Sequence, residues 1–194
     1  MRSLCAALAA CVAALALLAG CSDDAPSAGD PTSTWTPTST PDAPTSRATA
    51  KPAEPPLPDA ATKATEGGAR AFIAYYWDLI NYAQVTGDVK ALKRVSGPHC
   101  AGCKAGISGI RDLYNGGGRA EGGEYTLSIR KLNRLQGEKH DFVAFEALLR
   151  VRNAEQVIIN STGGKDTLES TANTVAVAAL WTKNAWRLEV MDVR

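Results

Sequence analysis

The spacing of apolar residues along the chain changes once, from a helical period to a strand period. Between residues 69 and 83, apolar side chains recur every three or four positions, which is the spacing of an amphipathic helix. These side chains are Ala69, Phe72, Tyr76, Leu79, Ile80 and Ala83. Thr62 or Thr65 can cap the start of this helix, and Gly87 can end it because glycine adopts the left-handed conformation without steric cost.

Two shorter helices are predicted after the first. Asp88 can cap the second helix, which covers residues 89–95 and ends at Gly97-Pro98. The third helix is predicted over residues 104–114, where Ile107, Ile110 and Leu113 form its apolar stripe. Glycines at positions 116–118 then end it.

From Tyr125 onward, apolar residues alternate with polar ones, which is the period of a half-buried strand. The predicted strands cover residues 125–129, 143–151, 175–181 and 186–191. Lys183-Asn184 can form a tight turn between the last two. In the last strand, Trp186, Leu188 and Val190 are predicted to face the core. Residues 157–159 either extend the second strand or form a short edge segment.

Helices followed by antiparallel strands predict an α+β domain over residues 57–194, because the helices can bury their apolar stripes against one face of the sheet. We expect N-terminal helices packed on a curved antiparallel sheet of about four strands.

The first 20 residues predict a lipoprotein signal peptide that is removed after export. Arg2 precedes an almost uninterrupted apolar run over residues 4–19. Leu18-Ala19-Gly20-Cys21 then forms a lipobox, so Cys21 is expected to carry long acyl chains such as palmitate that hold the protein to a membrane. An ordinary secretory signal is the alternative. The expected location is the extracytoplasmic face of the cell membrane.

Residues 21–56 predict a disordered tether. They are rich in Ser, Thr, Pro and Ala, and such a segment cannot bury enough apolar surface to offset the entropy of ordering itself. The segment resembles the O-glycosylated stalks of surface proteins and could act as a spacer.

The charge pattern argues against two classes of partner. The formal net charge is +1, and no run of five or more like charges occurs. A nucleic-acid partner would need a basic stripe, and an anionic-lipid binder would need a cluster of bases near the membrane. We therefore expect no nucleic-acid partner, and a membrane contact through the lipid on Cys21.

Two cysteines are left for thiol chemistry, because Cys5 and Cys11 lie in the signal peptide. Cys100 and Cys103 are expected to form a small structural disulfide, since export places them in an oxidising compartment. The alternatives are a redox-active pair or a metal site with His99 and a distant ligand such as His140. A c-type haem would need His directly after the second cysteine, where Lys104 stands. We expect no cofactor and no metal.

The order of a long helix, shorter helices and then a sheet resembles the cone-shaped nuclear-transport-factor-2-like (SnoaL-like) superfamily. Together with the lipobox, a set of short segments looks like a family of actinobacterial lipoproteins built on a domain of unknown function. These segments are Pro55-Pro56-Leu57-Pro58, Tyr75-Tyr76, Asn81-Tyr82, Thr86-Gly87-Asp88 and Cys100-Ala101-Gly102-Cys103. This resemblance implies no activity.

In cone-shaped folds the first helix closes the mouth of the concave sheet face, so its polar and aromatic residues are a possible small-molecule pocket. These residues are Tyr75, Tyr76, Asp78, Asn81 and Tyr82. The alternative is that the stripe containing Tyr76 is simply core. Proton transfer would need a buried carboxylate facing a tyrosine. Asp78, Glu146, Glu189 and Asp192 are the acids to consider, but their spacing assigns no catalytic residue.

The sequence thus predicts a membrane-anchored cell-envelope lipoprotein with a non-catalytic domain. This domain is expected to bind a small apolar or wall-derived ligand, or to act as a scaffold for another envelope protein. A small-pocket enzyme of the SnoaL or ketosteroid-isomerase type, and a thiol-disulfide redox protein using Cys100 and Cys103, are the alternatives.

Overall fold

The computed structural model describes residues 52–136 and 142–194. The predicted signal peptide, Cys21 and nearly all of the predicted tether lie outside these residues, as does His140. Among the described helices, none is both long and apolar enough to cross a membrane.

The first long helix, α1, covers Glu66–Thr86 and follows a short 3₁₀ turn at Asp59–Thr62. It begins where the hydroxyl oxygen of Thr65 accepts a hydrogen bond of 3.1 Å from the N–H of Gly68. It ends at Gly87, which is left-handed with φ 73° and donates its N–H to the carbonyl oxygen of Ala83. Both predicted ends of this helix are confirmed.

Two shorter helices follow, α2 at Lys90–Val95 and α3 at Ala101–Asn115. An Asp88 carboxylate oxygen accepts a hydrogen bond of 3.0 Å from the N–H of Lys90, and this bond lowers the pKa of that carboxyl. The helix α3 begins three residues earlier than the prediction. The reason is that Cys100 caps it, since the Sγ atom of Cys100 accepts a hydrogen bond of 3.2 Å from the N–H of Cys103.

Seven strands complete the chain. They are β1 at Arg119–Gly122, β2 at Tyr125–Leu135, β3 at Val143–Asn153, β4 at Gln156–Ile159, β5 at Lys165–Leu168, β6 at Thr171–Thr182 and β7 at Ala185–Val193. The four long strands form one antiparallel sheet in the order β2-β3-β6-β7, and the three short strands form another in the order β1-β4-β5. The α+β prediction is therefore confirmed.

The short-stranded sheet is the part of the fold that the sequence pattern did not predict. Only residues 157–159 were considered, and they form most of β4 rather than an extension of the preceding strand. Strands of four residues contain too few positions for a two-residue period to show. The strand β5 in addition has no buried residue.

The turn between β6 and β7 follows the prediction. Lys183 and Asn184 have φ values of 51° and 60°. Positive φ at both central residues is the requirement of the hairpin turn whose twist matches that of the strands.

The inward face of β7 differs from the prediction at Val190. Ala178 pairs with Val190 but Ala179 pairs with Leu188, so Glu189 is an extra residue that forms a β-bulge. Beyond it the alternation reverses, which leaves Val190 47% exposed and packs Met191 against the core. The prediction that Val190 faces the core is wrong for this reason.

The core lies between the helices and one face of the four-stranded sheet, which we call the inner face. Phe72 on α1 is 1% exposed and stacks on Trp186 of β7 with ring centroids 6.3 Å apart. Phe145 of β3 adds a third ring, whose centroid lies 6.0 Å from that of Trp186. The indole N–H of Trp186 donates to the carbonyl oxygen of Lys63, which holds the segment before α1 to the sheet.

Candidate functional site

A cavity of about 380 Å³ lies between α1, α3 and the inner face of the four-stranded sheet. Trp77 and Ile80 form its wall on α1, Ile107 and Ile110 its wall on α3, and Val175 part of its floor on β6. Pockets for small organic ligands start at about 300 Å³ and are mostly apolar. The cavity therefore has the size and character of a small-molecule site.

No charged side chain lines this cavity. Its polar groups are three tyrosines and four side-chain amides, and the amides belong to Gln84, Asn153, Gln156 and Asn173. Such amides can donate and accept hydrogen bonds without carrying charge. The lining thus suits a neutral ligand with one or a few polar groups.

Two glycines of α3 leave room in the cavity. A Cβ atom added to Gly106 or to Gly109 would meet no atom within 4 Å outside the helix itself. Gly102, one turn earlier on the same side, differs because a Cβ there would collide with the carbonyl oxygen of Met191 on β7. Close packing thus requires Gly102, whereas Gly106 and Gly109 border open space.

One end of the cavity is held together by hydrogen bonds to Gln84, which is 8% exposed. Its side-chain oxygen accepts a bond of 2.8 Å from Nε2 of Gln156, and its own Nε2 donates to the carbonyl oxygen of Gly123 over 3.3 Å. The hydroxyl of Tyr114 donates to the backbone carbonyl of Gln84 over 2.6 Å. These bonds join α1 to α3 and to both sheets.

The hydroxyl of Tyr76 is already used inside the protein. It lies 2.9 Å from the hydroxyl of Ser96, which itself donates to the carbonyl oxygen of Leu92 over 2.7 Å. Because the Ser96 hydroxyl has one hydrogen, Tyr76 must be the donor of the first bond. Burial raises the pKa of Tyr76, and burial also raises the pKa of Tyr125, another residue of the cavity wall. Both phenols therefore favour the neutral form.

The five predicted pocket residues lie on two sides of α1. Tyr76 lines the cavity, while Asp78, Asn81 and Tyr82 line a separate groove of about 400 Å³. The side chain of Asn81 forms two hydrogen bonds with the backbone of β2, and burial raises the pKa of Asp78. Tyr75 is buried outside both spaces, and its pKa is raised by burial and further by the carboxylate of Glu54.

None of the four acids considered for proton transfer lines the cavity. Asp78 is in the separate groove, and Glu146 accepts a bond of 3.0 Å from Asn133 on the opposite, outer face of the sheet. Asp192 pairs with Arg194 over 3.8 Å, and Glu189 lies against Gly97. The acid–base alternative thus finds no carboxylate at the cavity.

Cys100 and Cys103 form the predicted disulfide, with Cα atoms 5.2 Å apart. They are 1% and 2% exposed, and the Sγ atom of Cys103 lies 3.8 Å from the carbonyl oxygen of Leu188 on β7. Reaction with another thiol requires an accessible sulfur, so this burial gives the redox alternative no support. Within the part of the chain that the structure describes, no three His, Cys, Asp or Glu residues are grouped to hold a metal ion.

Residues 41–192 match the model of a family of unknown function, DUF6318. The chain belongs to this family. It was expected to belong to a family built on a domain of unknown function, and that coarser expectation is confirmed. No curated protein matches the sequence of this DUF6318 chain.

Two solved structures are similar to the DUF6318 chain. The intermembrane space region of the chloroplast protein ARC6 has 14% identity and a TM-score of 0.48, with 65% of this chain and 93% of that chain covered. The Kfla4162 protein from Kribbella flavida has 10% identity and a TM-score of 0.37, with 66% and 91% covered. Likeness at this level carries no functional argument.

Sequence reasoning missed the glycines of α3, although a signal was present. Gly102, Gly106 and Gly109 recur at helical spacing on one side of a helix. Each glycine in a helix interior costs about 1 kcal/mol relative to alanine, so three of them point to a close approach or an open space on that side. In this DUF6318 domain both occur.

Proposed function

We propose that the domain binds an uncharged, largely apolar small molecule in the cavity beneath α1 and α3. The observation that carries this proposal is the cavity itself, with a lining that contains no charged side chain and a wall that Gly106 and Gly109 leave open.

The absence of charge in the lining selects the class of ligand. A charged group that leaves water without an ion partner loses a large hydration energy, so an ion would be bound poorly here. A hydroxyl, carbonyl or amide group of a neutral ligand could instead bond to the side-chain amides of Asn153, Gln156 or Asn173.

The lipobox at Cys21 supports a location at the outer face of the cell membrane. A lipid on Cys21 would keep the domain within the length of the tether, which raises the effective concentration of the domain near the bilayer. Even weak binding of a membrane-derived or wall-derived molecule would then be useful. The likeness in element order to the cone-shaped nuclear-transport-factor-2-like domains belongs to this same proposal.

A ligand site is favoured over a scaffold by the distribution of exposed apolar side chains. A scaffold needs a contiguous apolar patch, whereas here the large exposed ones lie on different elements. They are Leu57, Val85, Leu168, Val190 and Val193, and Val193 also lines the cavity.

Two dyes with one skeleton test the proposal. N-phenyl-1-naphthylamine is neutral, and 8-anilinonaphthalene-1-sulfonate adds a sulfonate to the same rings. The mature chain with Cys21→Ser is titrated with each dye, and binding is followed by dye fluorescence and by quenching of Trp77, which lines the cavity and is 4% exposed. We expect the neutral dye to bind at least tenfold more tightly.

Variants show whether the dye occupies this cavity. Gly106→Leu and Gly109→Leu place a side chain in the open space and should abolish binding of the neutral dye. Ala105→Leu is the matched control, because Ala105 is exposed on the same helix and does not line the cavity. Equal binding by all three variants would assign the dye to another site and refute the proposal.

A further inference from the structure

Four basic residues lie together on the outer face of the four-stranded sheet, opposite the helices. They are Arg130 and Lys131 on β2 and Arg150 and Arg152 on β3, and all four are exposed. We call these four residues the basic face.

The strand register brings the four together. Arg150 is opposite Ser128 and Arg152 is opposite Thr126, while Lys131 is opposite Leu148. Arg150 and Arg152 are thus two positions apart on one strand, about 7 Å. Lys131 is diagonal to Arg150 across the strand pair, at about 7–8 Å.

A β-bulge adds the fourth base. Ile129 pairs with Leu149 and Lys131 pairs with Leu148, so Arg130 is an extra residue in β2. Two consecutive bases therefore lie at the point where the strand bends, beside Arg150.

The positive charge of the basic face is not neutralised by neighbours. No Asp or Glu in residues 52–136 or 142–194 forms an ion pair with any of the four. Glu146, an acid on the same face of β3, is bonded to Asn133 instead. Glu124 and Glu155 lie in the turns beyond Arg152, so the positive charge is centred on Arg130, Lys131 and Arg150.

The form of the surface indicates the kind of partner. The bases lie on a sheet face around Leu148, which is half-buried, and none of them lines the cavity or the separate groove. Exposed bases spread over an open face match the many phosphates of a planar anionic surface better than a single small anion, which needs a pocket.

We infer that the basic face binds anionic phospholipid headgroups of the membrane. The inference rests on the proposed function only for the lipid anchor, which brings a bilayer within reach. About thirty residues separate Cys21 from Pro52, and an extended chain of that length reaches roughly 90 Å, enough for any face of the domain to meet the bilayer. Each base near an anionic bilayer strengthens binding roughly fivefold.

This inference corrects the expectation drawn from the charge pattern. The four bases occur as two pairs some twenty residues apart in the sequence, so no run of like charges reveals them. Strand pairing assembles the cluster that the linear sequence does not show.

Vesicle co-sedimentation tests the inference on the mature chain with Cys21→Ser, which has no lipid of its own. One set of vesicles contains phosphatidylcholine alone, and the other contains one third phosphatidylglycerol. We expect binding to the anionic vesicles only, and weaker binding as salt is added. Failure of the Cys21→Ser chain to bind anionic vesicles, or equal binding to both sets, would overturn the inference.

A charge-matched pair of variants locates the site. R130Q/K131Q/R150Q/R152Q should lose at least tenfold in affinity for the anionic vesicles. K63Q/K93Q/K104Q/K165Q removes the same charge from four exposed lysines elsewhere and should keep more of the affinity. If both variants lose the same amount, net charge alone is responsible and the basic face is not the site.

Two further variants protect the result against trivial causes. R130K/R150K/R152K keeps the charges and should bind like the Cys21→Ser chain, whereas loss of binding there would contradict a charge-based contact. Gly109→Leu should also bind the vesicles normally, because the cavity lies on the other face of the sheet. Failure of the ligand proposal can thereby be separated from failure of this one.

Discussion

The side-chain amides of Gln84 and Gln156 are joined by a hydrogen bond of 2.8 Å, which links the last turn of α1 to the start of β4. Gln84 is one of only two polar residues buried in the described part of the chain. Its position explains how a helix and a separate small sheet keep a fixed distance at the end of the cavity.

Gln84→Ala should destabilise the domain. The change leaves Nε2 of Gln156 and the carbonyl oxygen of Gly123 without their partner, and an unsatisfied buried polar group costs about 1–3 kcal/mol. Urea denaturation measures the change in the free energy of unfolding. Gln136→Ala, at an exposed glutamine, is the control and should change it little. Equal values for the two variants would show that the amide bond contributes nothing.

The three glycines of α3 should respond to alanine in opposite directions. Gly106→Ala and Gly109→Ala should each stabilise the domain by about 0.5–1 kcal/mol, because alanine favours the helix and its Cβ enters open space. Gly102→Ala should destabilise it, because the added Cβ collides with the backbone of Met191. Thermal unfolding of the three variants decides this. A stabilising Gly102→Ala would mean that α3 does not pack on β7 as described.

Removing the disulfide should lower stability by a modest amount. Closing so small a loop is worth about 2 kcal/mol in the chain-entropy model, and C100S/C103S should lose about that much free energy of unfolding. The alkylation pattern of the parent chain is an independent measurement. Neither sulfur should react before reduction, and ready labelling of both would contradict the disulfide.

Stability should fall at high pH through buried tyrosines. Burial raises the pKa of Tyr76 above its ordinary value of 10.0, so the folded state keeps the proton where the unfolded state begins to lose it. The contribution is fully present below the unfolded pKa and is lost as pH rises through the folded one. Urea denaturation from about pH 8 to about pH 11 should show this decline.

The Tyr76→Phe variant separates this effect from the titration of lysines. It should lose about 1 kcal/mol near neutral pH, since the hydrogen bond to Ser96 is gone. Its stability should then decline less steeply above about pH 10. A slope equal to that of the parent chain would show that Tyr76 does not titrate differently on unfolding.

The lipid anchor is tested by Cys21→Ala in the full-length precursor. The variant lacks the thiol that receives the lipid, so the mature protein should move from the membrane fraction to the soluble fraction. Retention of the variant in the membrane fraction after a high-salt wash would refute the lipobox prediction. The wash matters because the basic face could otherwise hold some protein at the membrane.

The helices and the long strands could be predicted from the sequence because their signals are local. A capping Thr65, a left-handed Gly87 and a turn at Lys183 and Asn184 each act within a few residues. The disulfide is local too, since its cysteines are three positions apart. Phe72 was placed in the core by helical spacing alone, and the structure confirms it.

The tertiary structure decided what no local signal contains. A bulge at Glu189 reversed the face of β7 and exposed Val190, which depends on pairing with a distant strand. The aromatic residues of α1 were divided between a cavity and a separate groove by what packs on each side of the helix. The cavity is open because two glycines of α3 face the sheet, and the basic face exists because strand register brings distant bases together. Sequence order fixes neighbours along the chain, whereas a site is formed by neighbours across it.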